Sequence, residues 1–457
     1  MATVEEHETE TLSPKARKAI WGAFVGFFVD MFDIYLPIAV LGPATIYFVS
    51  PDLSTSAAAI VGGLIFASTL AGRPLGALLF GHYADRIGRR RITIIVVCGV
   101  GTATLLLALM PGYQQWGMVA VAIFILLRFV GGLFMGGEYT AANPLAMEYC
   151  PKQKRGLYSG IIQSGYPIAF AATALLTLLM LSVAPAGDLN SPYVQWGWRI
   201  PFVVGAVIAF ALAAYYYFFV DESELFERSG GTESPLKTLF SGDNLKSFLQ
   251  VFVMMSGFWL ALNPVAAILP GQLGSQLGVS STNVTVTLII AYFVLAFAFV
   301  GAGALSQLIG RRLLFMLVGS VIVVVATFLY YLLISIAPES LLAVVLLSTA
   351  IIVLVQGQWG ALTAYINERF HTGVRASGFG LGYSVAAILP AFYGFYQAGL
   401  GTFMPFEYTA LPMVAVGGLL IVVGAAWGPE TKDVDFSAAP RKETGRHTMP
   451  SAESVGD

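Results

Sequence analysis

Apolar stretches about as long as a bilayer is thick recur along this chain, and that recurrence limits what it can fold into. A helix crosses the hydrocarbon core with about 20 apolar residues. Twelve stretches qualify: 19–47, 57–81, 92–110, 118–145, 157–181, 198–220, 248–272, 284–309, 313–336, 341–366, 377–399 and 409–428. Of the 457 residues, 57% are hydrophobic and only 11% charged, where a soluble domain carries about 25% charged residues. Single cores stop growing near about 250–300 residues, so size does not explain the excess. The stretches lack the alternation of barrel strands, and several hold glycine and proline, which membrane helices tolerate. The expected fold is an all-α membrane protein of twelve transmembrane helices. Its surroundings are a lipid bilayer.

Lysine and arginine orient the spans. The inferred loops 48–56, 111–117, 182–197, 273–283, 337–340 and 400–408 contain neither. The opposite side collects Lys15, Arg17, Lys18, Arg86, Arg89–Arg91, Lys152, Lys154, Arg155, Arg228, Lys237, Lys246, Arg311, Arg312, Arg369 and Arg375, with Lys432, Arg441, Lys442 and Arg446 in the tail. The positive-inside rule makes that side cytoplasmic, with both termini on it, in a plasma membrane. The N-terminus lacks the basic region, short apolar core and cleavage site of a signal peptide, so the first span is expected to be retained.

A net charge of −2 gives no reason to expect nucleic acid as a partner. Two cysteines, Cys98 and Cys150, form no CxxC. No G-x-x-x-x-G-K-[ST], HExxH or GxSxG occurs, so neither an ATP motor nor a hydrolase is indicated, and no metal or cofactor is expected.

The chain nearly repeats itself. Residues 81–90 read GHYADRIGRR and 303–312 read GALSQLIGRR, with Gln307 in place of Asp85. Residues 148–156 read EYCPKQKRG and 368–376 read ERFHTGVRA, each with Glu and Arg seven apart. DES follows the sixth span and PET the twelfth. The expected organisation is a tail (1–18), a six-helix bundle (19–220), a linker (221–247), a second, pseudo-symmetric six-helix bundle (248–428) and a tail (429–457). Parallel six-helix repeats of this kind occur in transporters, with the substrate site between them near the midplane.

These motifs resemble those of the major facilitator superfamily along the whole membrane region. GHYADRIGRR is similar to that family's signature between helices 2 and 3, a loop in this reading. RFVGGLFMGGEYTAANPLAMEYCPKQKRG is similar to its fourth-helix pattern, from Arg128 through Glu148 to Arg155. RPLGALLFGHYADRIGRRR, the GGE at 136–138 and WGWRIPF at 196–202 look most like the metabolite:proton symporter group. VDMFDIYLP in the first helix also resembles aromatic-acid and sialic-acid symporters. The resemblance implies a monomeric carrier that moves a small molecule with protons by alternating access. It also implies a cytoplasmic gate of Gly81, Asp85, Arg86, Gly88, Arg89, Arg90, Glu148, Arg155, Glu222, Arg311, Glu368 and Arg375. Asp85 and Arg89 stand four apart, at pairing distance on a helix. A carboxylate also suits a helix N-terminus, and the eleventh helix begins near Ser377 on that side.

Charges at bilayer depth are costly, so each needs a reason. Asp30 and Asp33 lie in span 1, Arg73 in span 2, Arg128 and Glu138 in span 4. The second repeat has none well inside its spans, and the four histidines (His7, His82, His371, His447) lie in tails or loops. Proton handling thus falls on a carboxylate of the first repeat. At ~1.5 Å per residue, Asp33 and Arg128 lie about 20–27 Å from the charged ends of their helices, and Arg73 and Glu138 about 12–14 Å. This predicts two pairs, Asp33–Arg128 and Arg73–Glu138, with Asp30 between the levels and able to serve either arginine. In related sugar porters, residues matching Asp33 and Arg128 form the coupling pair, and in metabolite:proton symporters the acidic position matching Asp30 is also occupied. Asp33 is therefore the expected proton carrier, with Asp30 or Glu138 as the alternatives. The competing reading is that both pairs only lock helices together.

The candidate substrate lining is Arg73, Arg128, Gln163, Asn263, Gln356, Gln358, Trp359 and Tyr383. Gln163 falls where related sugar porters bind substrate, and each neutral member could equally be a packing group. Arg73, a cation that sugar porters generally lack, points to a carboxylate-bearing metabolite. A sugar, polyol or proline/betaine-like zwitterion stays open, as does a non-transporting sensor. The GxxxG spacings at 72–76 and 132–136 predict close helix contacts.

Overall fold

The computed structural model describes residues 12–48, 55–229, 232–336 and 340–436, without side-chain detail at 38, 45, 55–67 and 229. His7, His447, Arg441, Lys442, Arg446, most of the tails and parts of loops 48–56 and 337–340 lie outside the described residues. The described chain is helical almost throughout. Its long helices are α1 Pro14–Tyr35, α2 Thr55–Ile87, α3 Arg89–Ala108, α4 Met118–Tyr149, α5 Lys152–Val183, α6 Tyr193–Phe219, α7 Gly242–Ser275, α8 Ser281–Ile309, α9 Arg311–Ile336, α10 Leu341–Arg369, α11 Thr372–Leu400 and α12 Phe406–Trp427. Ten of these, α3 to α12, are long and apolar enough to cross a membrane. Large apolar side chains face outward, among them Phe218, Phe293, Phe297 and Phe328, while Arg89, Arg128, Arg311 and Arg375 are fully buried. That inversion is what lipid as the outer solvent demands.

Helix ends follow local chemistry. Ser13 caps α1 by accepting from Ala16 N at 3.1 Å, with Pro14 in the first turn. The charged motif is not the loop expected from the sequence. α2 continues to Ile87 and α3 begins at Arg89, so only Gly88 interrupts the helix. Its φ of 113° is open to glycine and strained for other residues, and Gly310 repeats it with φ 100° between α8 and α9.

Glycines also set the closest packing. A methyl group at Gly76 would sit 1.8 Å from the Leu133 carbonyl oxygen, and one at Gly136 2.1 Å from that of Arg73. The GxxxG spacings thus bring α2 and α4 into backbone contact. The two repeats meet where α2 packs on α11 and α5 on α8. Gly303 and Gly156 approach so closely that a methyl group on either would lie 2.3 Å from the other's carbonyl oxygen.

Candidate functional site

Asp30 and Asp33 share one side of α1, three residues apart. Arg73 Nη2 donates to Asp30 Oδ2 at 2.7 Å, and Arg128 Nη1 to Asp33 Oδ2 at 2.6 Å. All four side chains are buried. The two pairs differ in how fully they are held. Asp33 also accepts from Thr104 Oγ1 at 2.5 Å, and Arg128 also donates to Thr69 Oγ1 at 2.9 Å and to the Asp33 carbonyl at 3.4 Å. Among the described residues Asp30 has the Arg73 bond alone, and its Oδ1 is buried without a hydrogen-bond partner there.

The expected Arg73–Glu138 pair is not formed. Gly136 packs directly on the Arg73 backbone, and a residue two further along turns roughly 200° away from that contact. Glu138 lies instead against α1 at Gly26, where a methyl group would come within 2.0 Å of its Oε1. Neither of its oxygens has a hydrogen-bond partner among the described residues. Depth along a helix predicted the pairing, but direction around the helix decides it.

The Arg73 guanidinium lies 4.9 Å from the Tyr139 ring centre. Tyr139 reaches across to the other repeat. Its hydroxyl meets Ser384 Oγ, and its ring lies 4.8 Å from that of Tyr383, tilted by 53°. Tyr383 continues into Trp359 at 6.0 Å and Trp259 at 5.4 Å, and Trp259 Nε1 donates to the Tyr383 carbonyl at 2.9 Å. Among the described residues Trp359 Nε1 and the Gln358 amide are buried without hydrogen-bond partners, and Gln356 is buried as well. Other candidates are engaged elsewhere. Gln163 Nε2 donates to Thr363 Oγ1 at 3.0 Å, tying α5 to α10, and Asn263 Nδ2 to the Pro390 carbonyl at 2.7 Å. The sequence reading missed Thr69, Thr104, Tyr139 and Ser384. It also missed a phenol chain, Tyr35–Tyr166–Tyr292, with 3.1 Å between successive hydroxyls of α1, α5 and α8. Thr69 was within reach, standing one helical turn before Arg73.

At the charged end, Asp85 accepts from the Ala376 and Ser377 N–H groups at 3.1 and 2.7 Å and lies 3.5 Å from Arg89. Glu148 pairs with both Arg89 and Arg375, so it joins α3 and α4 to α11. Gly81 lets α2 approach the α11 backbone at Ser377. Glu222 accepts from the Arg89 and Arg90 N–H groups at 3.0 and 3.1 Å, and Arg90 Nη2 donates to the Tyr217 carbonyl at 2.5 Å. Glu430 does the same for Arg311 and Arg312, at 2.9 and 3.0 Å. Burial raises the Glu430 carboxyl, but backbone N–H groups of Lys432, Arg311, Thr431 and Arg312 outweigh it and hold it below the usual range. Arg311 pairs with Glu368 at 3.1 Å. Two candidates depart from the expected cluster. Arg86 is exposed. Arg155 has no carboxylate at ion-pair distance among the described residues, because Arg375 occupies Glu148 and Arg311 occupies Glu368.

A sheath of membrane-length helices around buried ion pairs is the architecture of a multi-pass membrane protein. Residues 23–393 match the family model of the Major Facilitator Superfamily, and the chain belongs to that family. It is 31% identical over 433 residues to the inner membrane metabolite transport protein YhjE of Escherichia coli (strain K12), covering 92% of this chain and 96% of the other. The shikimate transporter of the same organism is 34% identical over 212 residues, 46% of each chain. Among solved structures, the proton:xylose symporter XylE bound to 6-bromo-6-deoxy-D-glucose aligns with a TM-score of 0.74 at 18% identity, over 91% of this chain and 95% of that one. The last comparison bears on the fold alone.

Proposed function

We propose that the protein is a proton-coupled symporter for a small carboxylate-bearing metabolite. It would work as a monomer by alternating access between two six-helix bundles, 19–220 and 248–428, joined by the linker 221–247. Twelve spans would cross the plasma membrane, with both termini and the charged end in the cytoplasm. The observation that carries this reading is the uneven holding of the two buried pairs. Asp33–Arg128 is fully satisfied. Asp30–Arg73 hangs on one bond at the seam with α11.

An arriving carboxylate competes with Asp30 for Arg73. A buried carboxylate stripped of its partner is costly, and a proton taken up at Asp30 removes that cost. When the anion leaves inward, Arg73 returns and the proton is released on the same side. This makes Asp30 the first candidate for the carrier, ahead of Asp33, with Arg128 and Asp33 as the fixed lock and Glu138 in reserve. Gln358, Trp359 and Tyr383 would contact the substrate body. One pH unit supplies about 1.4 kcal/mol per proton. A monoanion moving with one proton carries no net charge, so voltage would add nothing. A zwitterion is the second reading: the open Asp30 Oδ1 and the faces of Trp259, Trp359 and Tyr383 suit an ammonium group.

The test is uptake of labelled shikimate and other carboxylates into proteoliposomes under an imposed pH gradient. Asp30→Asn should abolish accumulation while leaving exchange across the membrane measurable. Uphill accumulation by Asp30→Asn would return the role to Asp33 or Glu138. Equal binding of acid and amide analogues by the wild type would end the anionic reading. No exchange of any panel member would favour a sensor.

A further inference from the structure

Beyond the last long helix the described residues, up to Phe436, stay at the charged end. α12 stops at Trp427 and Glu430 caps α9. Thr431 Oγ1 then donates to Glu368 Oε2 at 2.7 Å, and the Val434 carbonyl accepts from Arg155 Nη1 at 2.6 Å. Phe436, buried at 6% exposure, has the Arg155 guanidinium 3.5 Å and the Arg375 guanidinium 3.9 Å from its ring centre. Arg155 begins one repeat's side of the seam, on α5, and Arg375 the other's, on α11.

We propose that Thr431–Phe436 is a latch. It holds the charged end closed by seating the Phe436 ring between Arg155 and Arg375, and it must unseat before that end opens. The need for it comes from Arg155. Among the described residues no carboxylate lies at ion-pair distance from this buried guanidinium, and the carbonyl of Val434 and the face of Phe436 supply negative potential to it. Arg375 already holds Glu148 and offers Phe436 its remaining face. Separating α5 from α11 leaves the ring with at most one cation. The Lys152–Asp433 pair, at 4.0 Å and exposed, adds little. The linker offers a contrast: Phe226 lies 5.9 Å from Arg89, a contact on one side of the seam. In the cycle, the latch rests on the alternating-access reading above; its closure of this end does not.

Cys150 reports the latch without any substrate. It ends α4 beside Arg155, is buried, and burial pushes its thiol up to about 12. In full-length protein carrying Cys98→Ser, alkylation of Cys150 by N-ethylmaleimide is followed by mass spectrometry. Phe436→Ala should speed it about tenfold, as expected for two lost cation–π contacts. Phe436→Trp should keep the slow wild-type rate. Phe436→Leu, of similar bulk without a π face, should behave like Phe436→Ala. A rate for Phe436→Ala within twofold of wild type overturns the latch. So does equal protection by Leu and Trp, which would make the ring a filler and not a clasp. A failed transport assay with unlatched, fast-reacting Phe436→Ala would count against the symport reading alone.

Discussion

At one corner of the charged end, Asp85 sets its carboxylate on the Ala376 and Ser377 N–H groups in the first turns of α11; at the other, Gln307 sets an amide oxygen on Gly156 N of α5 at 3.1 Å. The backbones are alike. Gly88 and Gly310 both turn with positive φ, and Glu222 and Glu430 cap the helices that follow. Arg89 and Arg311 both turn to the glutamate that ends a neighbouring long helix, Glu148 or Glu368. The difference is charge. The Asp85 corner adds an ion pair across the seam, Glu148–Arg375, whereas at the Gln307 corner Arg155 has no such pair among the described residues and meets the tail. The same one-residue helix break therefore serves a strong clasp and a weak one. Hydrogen bonds to an ionised acceptor are roughly twice as strong as neutral ones.

Making the first corner like the second should give the largest effect. Asp85→Asn removes charge from two buried hydrogen bonds and from the partner of a fully buried Arg89. A charge-assisted bond contributes about 1.5–3 kcal/mol, enough to shift a closed population at least tenfold toward open. Uptake should fall sharply while expression stays near wild type, and spin-label distances across the α2–α11 seam should lengthen. Unchanged distances and uptake would mean that Asp85 serves only as a topological charge and that the comparison has no energetic content.

The converse exchange should be milder. Gln307→Asp places a carboxylate near Gly156 N and Arg311 Nη2, which Gln307 now meets at 3.1 and 2.9 Å. We expect tighter closure by about 1 kcal/mol, seen as a several-fold slower turnover and a higher melting temperature. Faster turnover would show that the weak corner depends on the amide's N–H and not on its oxygen.

These corners also show what a sequence can carry. Helix positions were legible because lipid requires length and apolarity together, and the repeat was legible because Gly88, Gly310 and the Glu/Arg spacings recur. Asp33 and Arg128 were legible as neighbours because matched depth sufficed. Arg73 was not, because choosing Asp30 over Glu138 depends on which way Glu138 turns around α4, and depth carries no such angle. The helical character of Gly81–Ile87 was hidden by its charges, which look like loop until the partners that bury them are known. Phe436 was invisible for another reason. It is one aromatic residue in a polar tail, and its role comes from Arg155, whose lack of a carboxylate appears only after Glu148 and Glu368 have been assigned.

The smallest effect should come from the caps, where the corners agree. Glu430 is held below the ordinary carboxylate range because four backbone N–H groups outweigh its burial. A carboxyl lowered in the folded state contributes stability that is present above its unfolded value, about 4.3, and lost as pH falls through the folded value. Glu430→Gln should therefore lower the melting temperature of the detergent-purified protein at pH 7. The gap to wild type should narrow below about pH 4.3 and close once the wild-type carboxyl is protonated. Because the Glu430 side chain is exposed overall and its carboxyl only partly desolvated, screening keeps the loss to about 0.5–1 kcal/mol. Glu222→Gln should act in the same direction, since it removes charge from the equivalent N–H groups of Arg89 and Arg90. A gap for Glu430→Gln that persists unchanged at low pH would mean that Glu430 works by packing around Gly310, where a methyl group would meet its Oε2 at 2.4 Å, and not by charge.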